Sequence, residues 1–323
     1  MAIDPELIAD RRRLRRKLAF WRVLGILGAI VAVVAIGAVA AGRAPFRAGQ
    51  TQIARVSIDG FITGDQRRMS DLFRRVAEAG NVSGVVVSIN SPGGTTTGAE
   101  ELYRGIRQLS GKKPLVAFVN GTAASGGYIA ALAADHIVAR ETSLVGSVGV
   151  IFQYPDLSKL LSSVGVQVEE IKSAPLKAEP SPFHPTSPEA REALRQVVSD
   201  TYDWFKRIVA ERRKLGDAEL GTVSTGRIFN GRQSVPLKLV DAVGGERDAV
   251  AWLEREKNVA KDLPVRDWKP RSSRDLNLWT AASLGADALG FGDLAGGLRR
   301  AAASAEAASL DGLLALWHPA SDK

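Results

Sequence analysis

The sequence predicts an α/β fold whose strands pair mostly in parallel. Short apolar runs alternate with helical patterns from about residue 53 to residue 214. Two of these runs, residues 85–89 and 115–119, are continuous, which is typical of strands buried on both faces. Each of the two is followed by a glycine-rich segment and then by a helical pattern, as in parallel sheets whose strands are joined by helices.

The elements follow from these patterns in chain order. Strands are predicted at residues 53–58, 85–89, 115–119, 137–139, 148–152 and 166–171. Helices are predicted at residues 67–79, 98–109, 127–134 and from about 189 to 214. One stripe of the first helix carries its large apolar side chains, Met69, Leu72, Phe73 and Val76. A proline-rich loop at residues 175–188 precedes the last of these helices, and residues 298–317 show the pattern of one or two amphipathic helices.

Composition excludes several classes of site. The chain has 323 residues and no cysteine, which excludes a disulfide scaffold, a thiolate metal site, an iron–sulfur cluster and a cysteine nucleophile. Its three histidines, His136, His184 and His318, are widely spaced, so a histidine metal site is not expected. The length suggests one large domain or two smaller ones.

The net charge of +8 is concentrated at the N-terminus. Residues 1–50 hold nine basic and three acidic side chains, whereas the other 273 residues hold 34 basic and 32 acidic ones. The body of the protein is therefore nearly neutral. A nearly neutral body argues against a nucleic-acid-binding domain, and no nucleic-acid partner is expected.

Residues 23–42 form an uncharged run of twenty residues that predicts a transmembrane helix. At the helical rise such a run spans about 30 Å, the thickness of the hydrocarbon core of a bilayer. Seven basic residues precede it, so the positive-inside rule places the basic leader, residues 1–22, in the cytoplasm and the body on the other side. A cleaved signal peptide is the alternative, because residues 38–40 (Ala-Val-Ala) resemble a cleavage site.

Two glycine-rich segments, residues 90–94 and 120–128, follow the two buried strands. In an open α/β sheet, ligands bind at the carboxyl ends of the strands, so both segments are expected to face one crevice. Backbone N–H groups at a helix N-terminus favour negative charge, either a phosphate or the oxyanion of an acyl-transfer intermediate. Neither segment matches the known phosphate-binding glycine motifs.

Ser125 is the candidate nucleophile for acyl transfer, and a serine hydroxyl needs a neighbouring base. The histidines are poor candidates, because His136 lies in an apolar strand and His184 in the proline-rich loop. A lysine can act as the base if burial lowers its pKa, and Lys172 and Lys177 follow the strand predicted at residues 166–171.

Several ordered motifs resemble the signal peptide peptidase SppA family, which consists of membrane-anchored serine proteases with the ClpP/crotonase fold of stacked ββα units. The resemblance covers residues 53–253 and corresponds to the short form with one protease domain. The matching blocks are residues 91–94 (SPGG), 125–130 (SGGYIA), 134–139 (ADHIVA), 146–150 (GSVGV), 230–233 (NGRQ) and 239–241 (LVD).

The resemblance implies a role for five residues. Ser125 matches the nucleophile, Lys177 the general base, and Ser147 a serine that orients the lysine. The backbone N–H groups of Gly94 and Gly126 match the oxyanion hole. In short-form relatives the lysine reaches the serine of a neighbouring subunit, so a ring-like homo-oligomer is expected, with no metal or other cofactor.

These expectations together describe a single-pass protein of the inner (cytoplasmic) membrane. Its protease domain, residues 50–262, is expected on the periplasmic or extracytoplasmic side, where it would cleave peptides such as remnant signal peptides. Residues 263–323 form an extension rich in alanine and glycine, to which the sequence assigns no role. Three alternatives stay open: a protease acting on membrane proteins, an inactive membrane-tethered scaffold, and an acyl-CoA enzyme of the crotonase group.

Overall fold

The computed structural model describes residues 50–270, together with residues 17, 18, 20–22, 24, 25 and 314–316. Apart from Leu24 and Gly25, the predicted membrane anchor at residues 23–42 lies outside this set. In the described part of the chain, no helix is long and apolar enough to cross a membrane. The chain divides into two units, Met1–Gln50 and Thr51–Lys323, and the second is described below.

Nine strands are present among the described residues, and they form one sheet. They are β1 (Gln52–Ile62), β2 (Val82–Thr95), β3 (Leu115–Ala124), β4 (His136–Ala139), β5 (Leu144–Gly146), β6 (Ile228–Asn230), β7 (Ala242–Val243), β8 (Val265–Trp268) and β9 (Leu314–Leu316). The helices of the same unit are α1 (Arg67–Glu78), α2 (Thr96–Ser110), α3 (Gly126–Leu132), α4 (Ser158–Ser163), α5 (Pro188–Arg213), α6 (Asp217–Val223), α7 (Gly231–Ser234) and α8 (Glu246–Glu256).

The sheet has the order β6-β5-β3-β2-β1-β8, with β4 also paired to β3 and β7, and β9 paired to β2. Most pairs are parallel, as in β1–β2, where Val56 lies opposite Val87, and β2–β3, where Val87 lies opposite Ala117. Only β5–β6 and β2–β9 are antiparallel in the described part of the sheet. The prediction of an α/β fold with largely parallel pairing is therefore confirmed.

Both faces of the central strands are buried. Val85 and Val87 of β2 point into a large apolar cluster that includes Leu72 of α1 and Phe205 of α5. Val86 points into a second cluster on the opposite face, beneath Ala249 and Leu253 of α8. Burial on two faces explains why the central strands are continuous apolar runs.

The helix ends follow local capping rules. The side chain of Thr95 accepts a hydrogen bond of 3.2 Å from the Gly98 N–H at the start of α2. Ser187 caps α5 in the same way, with Pro188 at the first helical position. At its other end, α5 stops at Lys214, whose left-handed conformation is a common helix terminator.

Two predicted strands are wrong. Residues 148–152 hold only an isolated bridge at Ile151, and residues 166–171 form no strand. The apolar side chains of the second segment are exposed: Val166 and Val168 are nearly half exposed and Ile171 fully so. Among the described residues no strand pairs with this segment, so its alternating pattern does not give a sheet.

Other boundaries also differ from the predictions. β2 continues through the first glycine-rich segment to Thr95, and β3 continues to Ala124, so only the second segment contains a turn, at Ser125. β8 extends the sheet past residue 262, the predicted end of the protease domain. In the region predicted to be helical at residues 298–317, the three described residues, Leu314–Leu316, form a strand instead.

Candidate active site

Ser125 lies at the turn between β3 and α3. Its φ of +53° and ψ of −116° are unusual for a residue with a side chain, and such strained conformations cluster at functional sites. The Ser125 N–H donates to the Gly146 carbonyl at 2.8 Å, and the N–H groups of Tyr128 and Ile129 donate to the Ser125 carbonyl. These bonds hold the backbone of the turn, and Ser125 is 1% exposed.

Glycine is required two residues after this serine because α3 packs closely on β2. A side chain at Gly127 would place its Cβ 2.6 Å from the carbonyl oxygen of Ser91. With glycine there, the N-terminus of α3 can lie against the sheet, and every residue of α3 is buried. This packing fixes the Gly126 N–H at the start of the helix, next to Ser125.

Ser147 lies near Ser125 because β5 pairs with β3. Ala124 lies opposite Gly146, and the Ser125 hydroxyl donates to the Gly149 carbonyl at 3.4 Å. Gly146 and Ser147 both have positive φ values, +104° and +52°, and the Ser147 N–H donates to the Arg227 carbonyl at 2.8 Å. Two consecutive residues beside the candidate nucleophile therefore have positive φ values.

Gly94 lies near the end of β2, next to the Ser125 turn. On one side it pairs with Ile62 of β1, so closely that a Cβ on Gly94 would lie 2.0 Å from the Ile62 carbonyl oxygen. On the other side, β3 pairs with β2 only as far as Ser91 and Ala123 and then turns away at Ser125. The structure thus brings Ser125, Gly126, Ser147 and Gly94 to one end of the sheet.

Within the described part of a single chain, Lys177 does not lie next to Ser125. It lies in the exposed turn at residues 173–178, where its backbone N–H donates to the Ala174 carbonyl at 3.0 Å. Ala178, the next residue, has a φ of +61°. No hydrogen bond joins Lys177 to Ser125 within the described part of the chain.

Lys172, the other lysine considered as a base, is held in an ionic cluster. Its ammonium lies 2.6 Å from a carboxylate oxygen of Glu170 and 2.7 Å from one of Glu179. Hydrogen bonds to these two glutamates raise the pKa of Lys172, and those from Lys172 and Ser181 lower the pKa of Glu170 to about 2. Lys172 is therefore protonated at neutral pH and unsuited to accept a proton.

His184 belongs to the same cluster. Its Nε2 lies 3.3 Å from Glu170 and 3.4 Å from Glu179, and bonds to the Pro185 carbonyl and to Glu170 raise its pKa. The two carboxylates and the imidazole are close enough together to hold a metal ion. The Lys172 ammonium, however, already contacts both carboxylates, so the donor set fits an ion-pair cluster better than a metal site.

His136 lies at the opposite end of the strands from Ser125. It begins β4 and pairs with Val116 near the start of β3, whereas Ser125 follows the end of β3, roughly 25–30 Å along the strand direction. Its ring stacks on Trp252 with 4.5 Å between the centroids, and burial lowers its pKa. His136 is therefore outside the candidate site.

Two sets of polar contacts behind α3 were not predicted from the sequence, although both involve residues of the matching block at residues 239–241. The Tyr128 hydroxyl donates to the Leu239 carbonyl at 2.8 Å, and burial raises the pKa of Tyr128. Asp241 accepts hydrogen bonds from the Ile137 N–H and from two nitrogens of Arg213. These contacts attach α3 and β4 to the segment that follows α7.

An open groove lies beside the segment that follows Ser147. It is lined by Val148 and Gly149 on one side and by Tyr202 of α5 and Ser224 on the other. Gly149, which lines the groove, also accepts the hydrogen bond from the Ser125 hydroxyl.

The chain is similar to known peptidases. The model of peptidase family S49 matches residues 107–260, which include Ser125, Ser147 and Lys177. A candidate protease of Methanocaldococcus jannaschii is 37% identical over 196 residues, covering 61% of this chain and 63% of that protein. A candidate protease of Synechocystis sp. is 35% identical over 64% of this chain and 76% of its own length.

A third relative connects the chain to the SppA group. A candidate signal peptide peptidase SppA of Enterococcus faecium is 31% identical over 247 residues, covering 72% of this chain and 71% of that protein. The family model and these relatives share the region that holds the strained serine. The chain belongs to peptidase family S49 and is a serine peptidase of the SppA-like group.

Proposed function

We propose that the chain is a membrane-anchored endopeptidase that cleaves membrane-associated peptides with a Ser125–Lys177 dyad. The observation that carries this proposal is the strained, buried Ser125 at the N-terminus of α3, next to the end of β2 and to Ser147. We further propose that the sheet and its helices form a ClpP/crotonase-type domain.

In this mechanism Lys177, in its neutral form, accepts the hydroxyl proton of Ser125 while the serine oxygen attacks a peptide carbonyl. The lysine then gives the proton to the leaving amine, and water hydrolyses the acyl-enzyme. Serine–lysine pairs are a known variant of the serine–histidine triad. Ser147 would orient the lysine amine, and its position beside the Ser125 turn supports that role.

The developing oxyanion would be stabilised by the N–H groups of Gly94 and Gly126. Both residues lie at the same end of the sheet as Ser125, one on β2 and one at the start of α3. Preorganised donors of this kind lower the barrier by about 3–4 kcal/mol each. The close contact of Gly94 with Ile62 would keep its N–H from moving during the reaction.

We propose that Lys177 acts on the Ser125 of a neighbouring subunit in a ring-like homo-oligomer. Lys177 lies on an exposed turn, and several apolar side chains in the same part of the sequence are exposed too, including Leu160, Val164, Ile171 and Leu176. Large exposed apolar patches are typical of protein interfaces. A second copy of the chain would cover these side chains and complete the site.

Residues 23–42 would anchor the enzyme in the inner membrane, with residues 1–22 in the cytoplasm and the catalytic part on the other side. This placement suits substrates that are released into the membrane, such as remnant signal peptides. A phosphatase reporter fused after Gly49 should be active only outside the cytoplasm. Activity of the reporter in the cytoplasm would contradict the orientation.

The test of the chemistry is labelling with a fluorophosphonate probe, followed by mass spectrometric mapping of the modified peptide. We expect the label on Ser125 and loss of peptide hydrolysis in proportion to labelling. Failure to label any serine would favour an inactive scaffold instead of a protease.

A further inference from the structure

β2 contains one extra residue where it passes the active site. Asp59 of β1 lies opposite Asn90. Phe61, two residues later on β1, lies opposite Gly93, which is three residues later on β2. The extra residue falls within Ser91–Pro92, and a proline inside a sheet is tolerated at such a bulge because it has no N–H to donate. β2 therefore bulges directly before the glycine assigned to the oxyanion hole.

The Ser91 hydroxyl closes this bulge. It donates a hydrogen bond of 2.6 Å to the Gly60 carbonyl of β1 and accepts one of 3.1 Å from the Gly93 N–H. Gly60 and Gly93 have φ values of +73° and +107°, which glycine adopts at little cost. The Ser91 side chain is fully buried. One hydroxyl thus joins the irregular positions of the two neighbouring strands.

The same serine contacts the other half of the active site. Ser91 pairs with Ala123 of β3, two residues before Ser125. A Cβ on Gly127, two residues after Ser125, would lie 2.6 Å from the Ser91 carbonyl oxygen and 3.2 Å from the Ser91 Cβ. Ser91 therefore lies between the strand of the oxyanion hole and the helix that begins after the nucleophile.

We infer that Ser91 is a positioning residue, whose hydroxyl directs the Gly94 N–H towards the oxyanion that forms at Ser125. The role rests on the proposed function, because it requires the Gly94 N–H to be a donor of the oxyanion hole. Backbone N–H groups along a strand point alternately to its two edges, so one extra residue moves the following N–H groups to the opposite edge. The two hydrogen bonds of Ser91 hold the bulge that sets this direction.

Loss of the hydroxyl should raise the energy of the transition state more than that of the bound substrate, because the charge on the oxyanion develops only during the reaction. Removal of an oxyanion-hole donor costs on the order of 100- to 1,000-fold in kcat. A displaced donor should cost less than a missing one, so the expected fall in kcat for a relaxed bulge is about 10- to 100-fold.

The test uses Ser91→Ala in the full-length protein in detergent. We expect the fall in kcat of about 10- to 100-fold, with KM for a reporter peptide within about twofold of the unmodified value. A peptide boronic acid gives the second readout. The Ser125 oxygen bonds to boron, its proton passes to Lys177, and the tetrahedral product carries the negative charge. The Kd of the boronic acid should rise by the factor by which kcat falls.

Ser143→Ala is the matched control. Ser143 is also a buried serine, and its hydroxyl donates to the Val119 carbonyl at 2.8 Å. Both substitutions remove one buried donor, so urea titrations should show similar losses in the free energy of unfolding. Only Ser91→Ala should change kcat and the binding of the boronic acid. Ser91→Cys, which keeps the shape of the side chain and a weak donor, should give an intermediate kcat.

An unchanged kcat in Ser91→Ala, or an equal fall in Ser143→Ala, would overturn the role of Ser91. Where Ser91→Ala does not fold, Ser91→Cys decides in the same way, and its full activity would overturn the role. Gly94→Ala distinguishes this failure from that of the proposed function. Full activity in Gly94→Ala means that the proposed oxyanion hole is wrong, whereas loss of activity in Gly94→Ala alone means that only Ser91 is wrongly assigned.

A second and independent observation concerns the loop that carries Lys177. The loop tip, residues 173–178, is exposed at all six positions. The loop base is closed by the ionic cluster of Glu170, Lys172, Glu179 and His184. The Glu179 side chain is only 8% exposed, so the cluster is largely shielded from water.

We propose that Lys172 is a positioning residue that holds the loop tip, and with it Lys177, in the active conformation. The tip buries no side chain of its own, so the cluster at its base is the main attachment. This role rests on the assignment of Lys177 as the base. A displacement of about 1 Å in a catalytic group can cost on the order of 100-fold in rate.

Lys172→Met removes the charge and keeps most of the side-chain length. We expect kcat to fall about 10- to 100-fold with KM unchanged, and amide hydrogen exchange at residues 173–178 to become faster. Lys172→Arg, which keeps the charge, should retain most activity. Lys261→Met, at an exposed position outside the loop, is the control and should not change kcat.

Normal kcat in Lys172→Met would overturn its positioning role. Loss of activity on adding a chelator, restored by a divalent metal, would also overturn it, because the cluster would then be a metal site. Activity in Lys177→Ala would instead show that the proposed dyad is wrong, whatever the effect of Lys172→Met.

Discussion

The backbone N–H of Ser125 donates a 2.8 Å hydrogen bond to the carbonyl oxygen of Gly146. Gly146 directly precedes Ser147, so this one contact between the end of β3 and the end of β5 sets the distance between the candidate nucleophile and the serine expected to orient its base. Both Ser125 and Ser147 have positive φ values, +53° and +52°, and such conformations persist where the surrounding contacts hold them.

Substitution of either member of the proposed dyad should abolish activity. Ser125→Ala removes the nucleophile and Lys177→Ala the base, so peptide hydrolysis in detergent should fall by at least 1,000-fold in each. Size-exclusion chromatography should show an unchanged oligomer. The exposed Lys159→Ala is the control. Near-normal turnover in either dyad variant would contradict the assignment.

Gly94→Ala should reduce both activity and stability. The new Cβ would lie 2.0 Å from the Ile62 carbonyl oxygen, so β2 must move and the Gly94 N–H with it. We expect a loss of about 1–3 kcal/mol in the free energy of unfolding and a fall in kcat of on the order of 100-fold. Gly80→Ala, where a Cβ meets nothing within 4 Å, is the matched control. A fully active and stable Gly94→Ala protein would contradict the proposed oxyanion hole.

Tyr128→Phe should destabilise the fold without changing the chemistry. The substitution removes the donor to the buried Leu239 carbonyl and leaves that acceptor without its partner. The free energy of unfolding should fall by about 1–2 kcal/mol in urea titrations, with kcat per folded enzyme unchanged. Tyr103→Phe serves as control, because the Tyr103 hydroxyl makes no hydrogen bond within the described residues. Equal stability of the two variants would show that the buried bond contributes nothing.

Asp241 should contribute stability that disappears in acid. Burial alone would raise the pKa of Asp241, but hydrogen bonds from Arg213 and the Ile137 N–H hold it below its ordinary value. The contribution of Asp241 to the free energy of unfolding is therefore complete at pH values above its pKa in the unfolded chain, about 4. It is lost as the pH falls through its lower pKa in the folded protein.

The corresponding variant is Asp241→Asn. Its free energy of unfolding at pH 7 should lie below that of the unmodified protein by about 1–3 kcal/mol, and the gap should narrow towards pH 3. Asp200→Asn, at an exposed position on α5, should show no such gap. A gap for Asp241→Asn that is independent of pH would exclude the carboxylate charge as its cause.

The central strands could be predicted from the sequence because burial on two faces leaves a continuous apolar run, as at residues 85–89. Their full lengths could not, since the Pro-Gly-Gly of residues 92–94 indicates a turn locally while pairing with Phe61 and Ile62 keeps it in β2. Residues 166–171 are the opposite case, a segment with the pattern of a strand that forms none. Its alternation suits a strand, but no strand in the described part of the chain pairs with it, and its apolar side chains are exposed.

The sequence likewise predicts only part of the candidate site. Ser125, Gly94 and Ser147 could be identified from short motifs, and their placement at one end of the sheet follows from the parallel order of β2 and β3. The closing of the loop base by Lys172 could not be predicted, because it depends on two glutamates nine residues apart, Glu170 and Glu179, meeting across a turn. Pairing of the distant residues 314–316 with β2 has no local signal in the sequence.

The most direct test of the central claim mixes the two inactive variants, Ser125→Ala and Lys177→Ala, under conditions that allow subunits to exchange. If Lys177 of one subunit serves Ser125 of its neighbour, mixed oligomers contain some complete sites and peptide hydrolysis recovers to a measurable fraction of the unmodified activity. Fluorophosphonate labelling should then appear only on the Lys177→Ala subunits, which retain Ser125. Full subunit exchange with no recovery of hydrolysis would contradict a dyad formed between subunits.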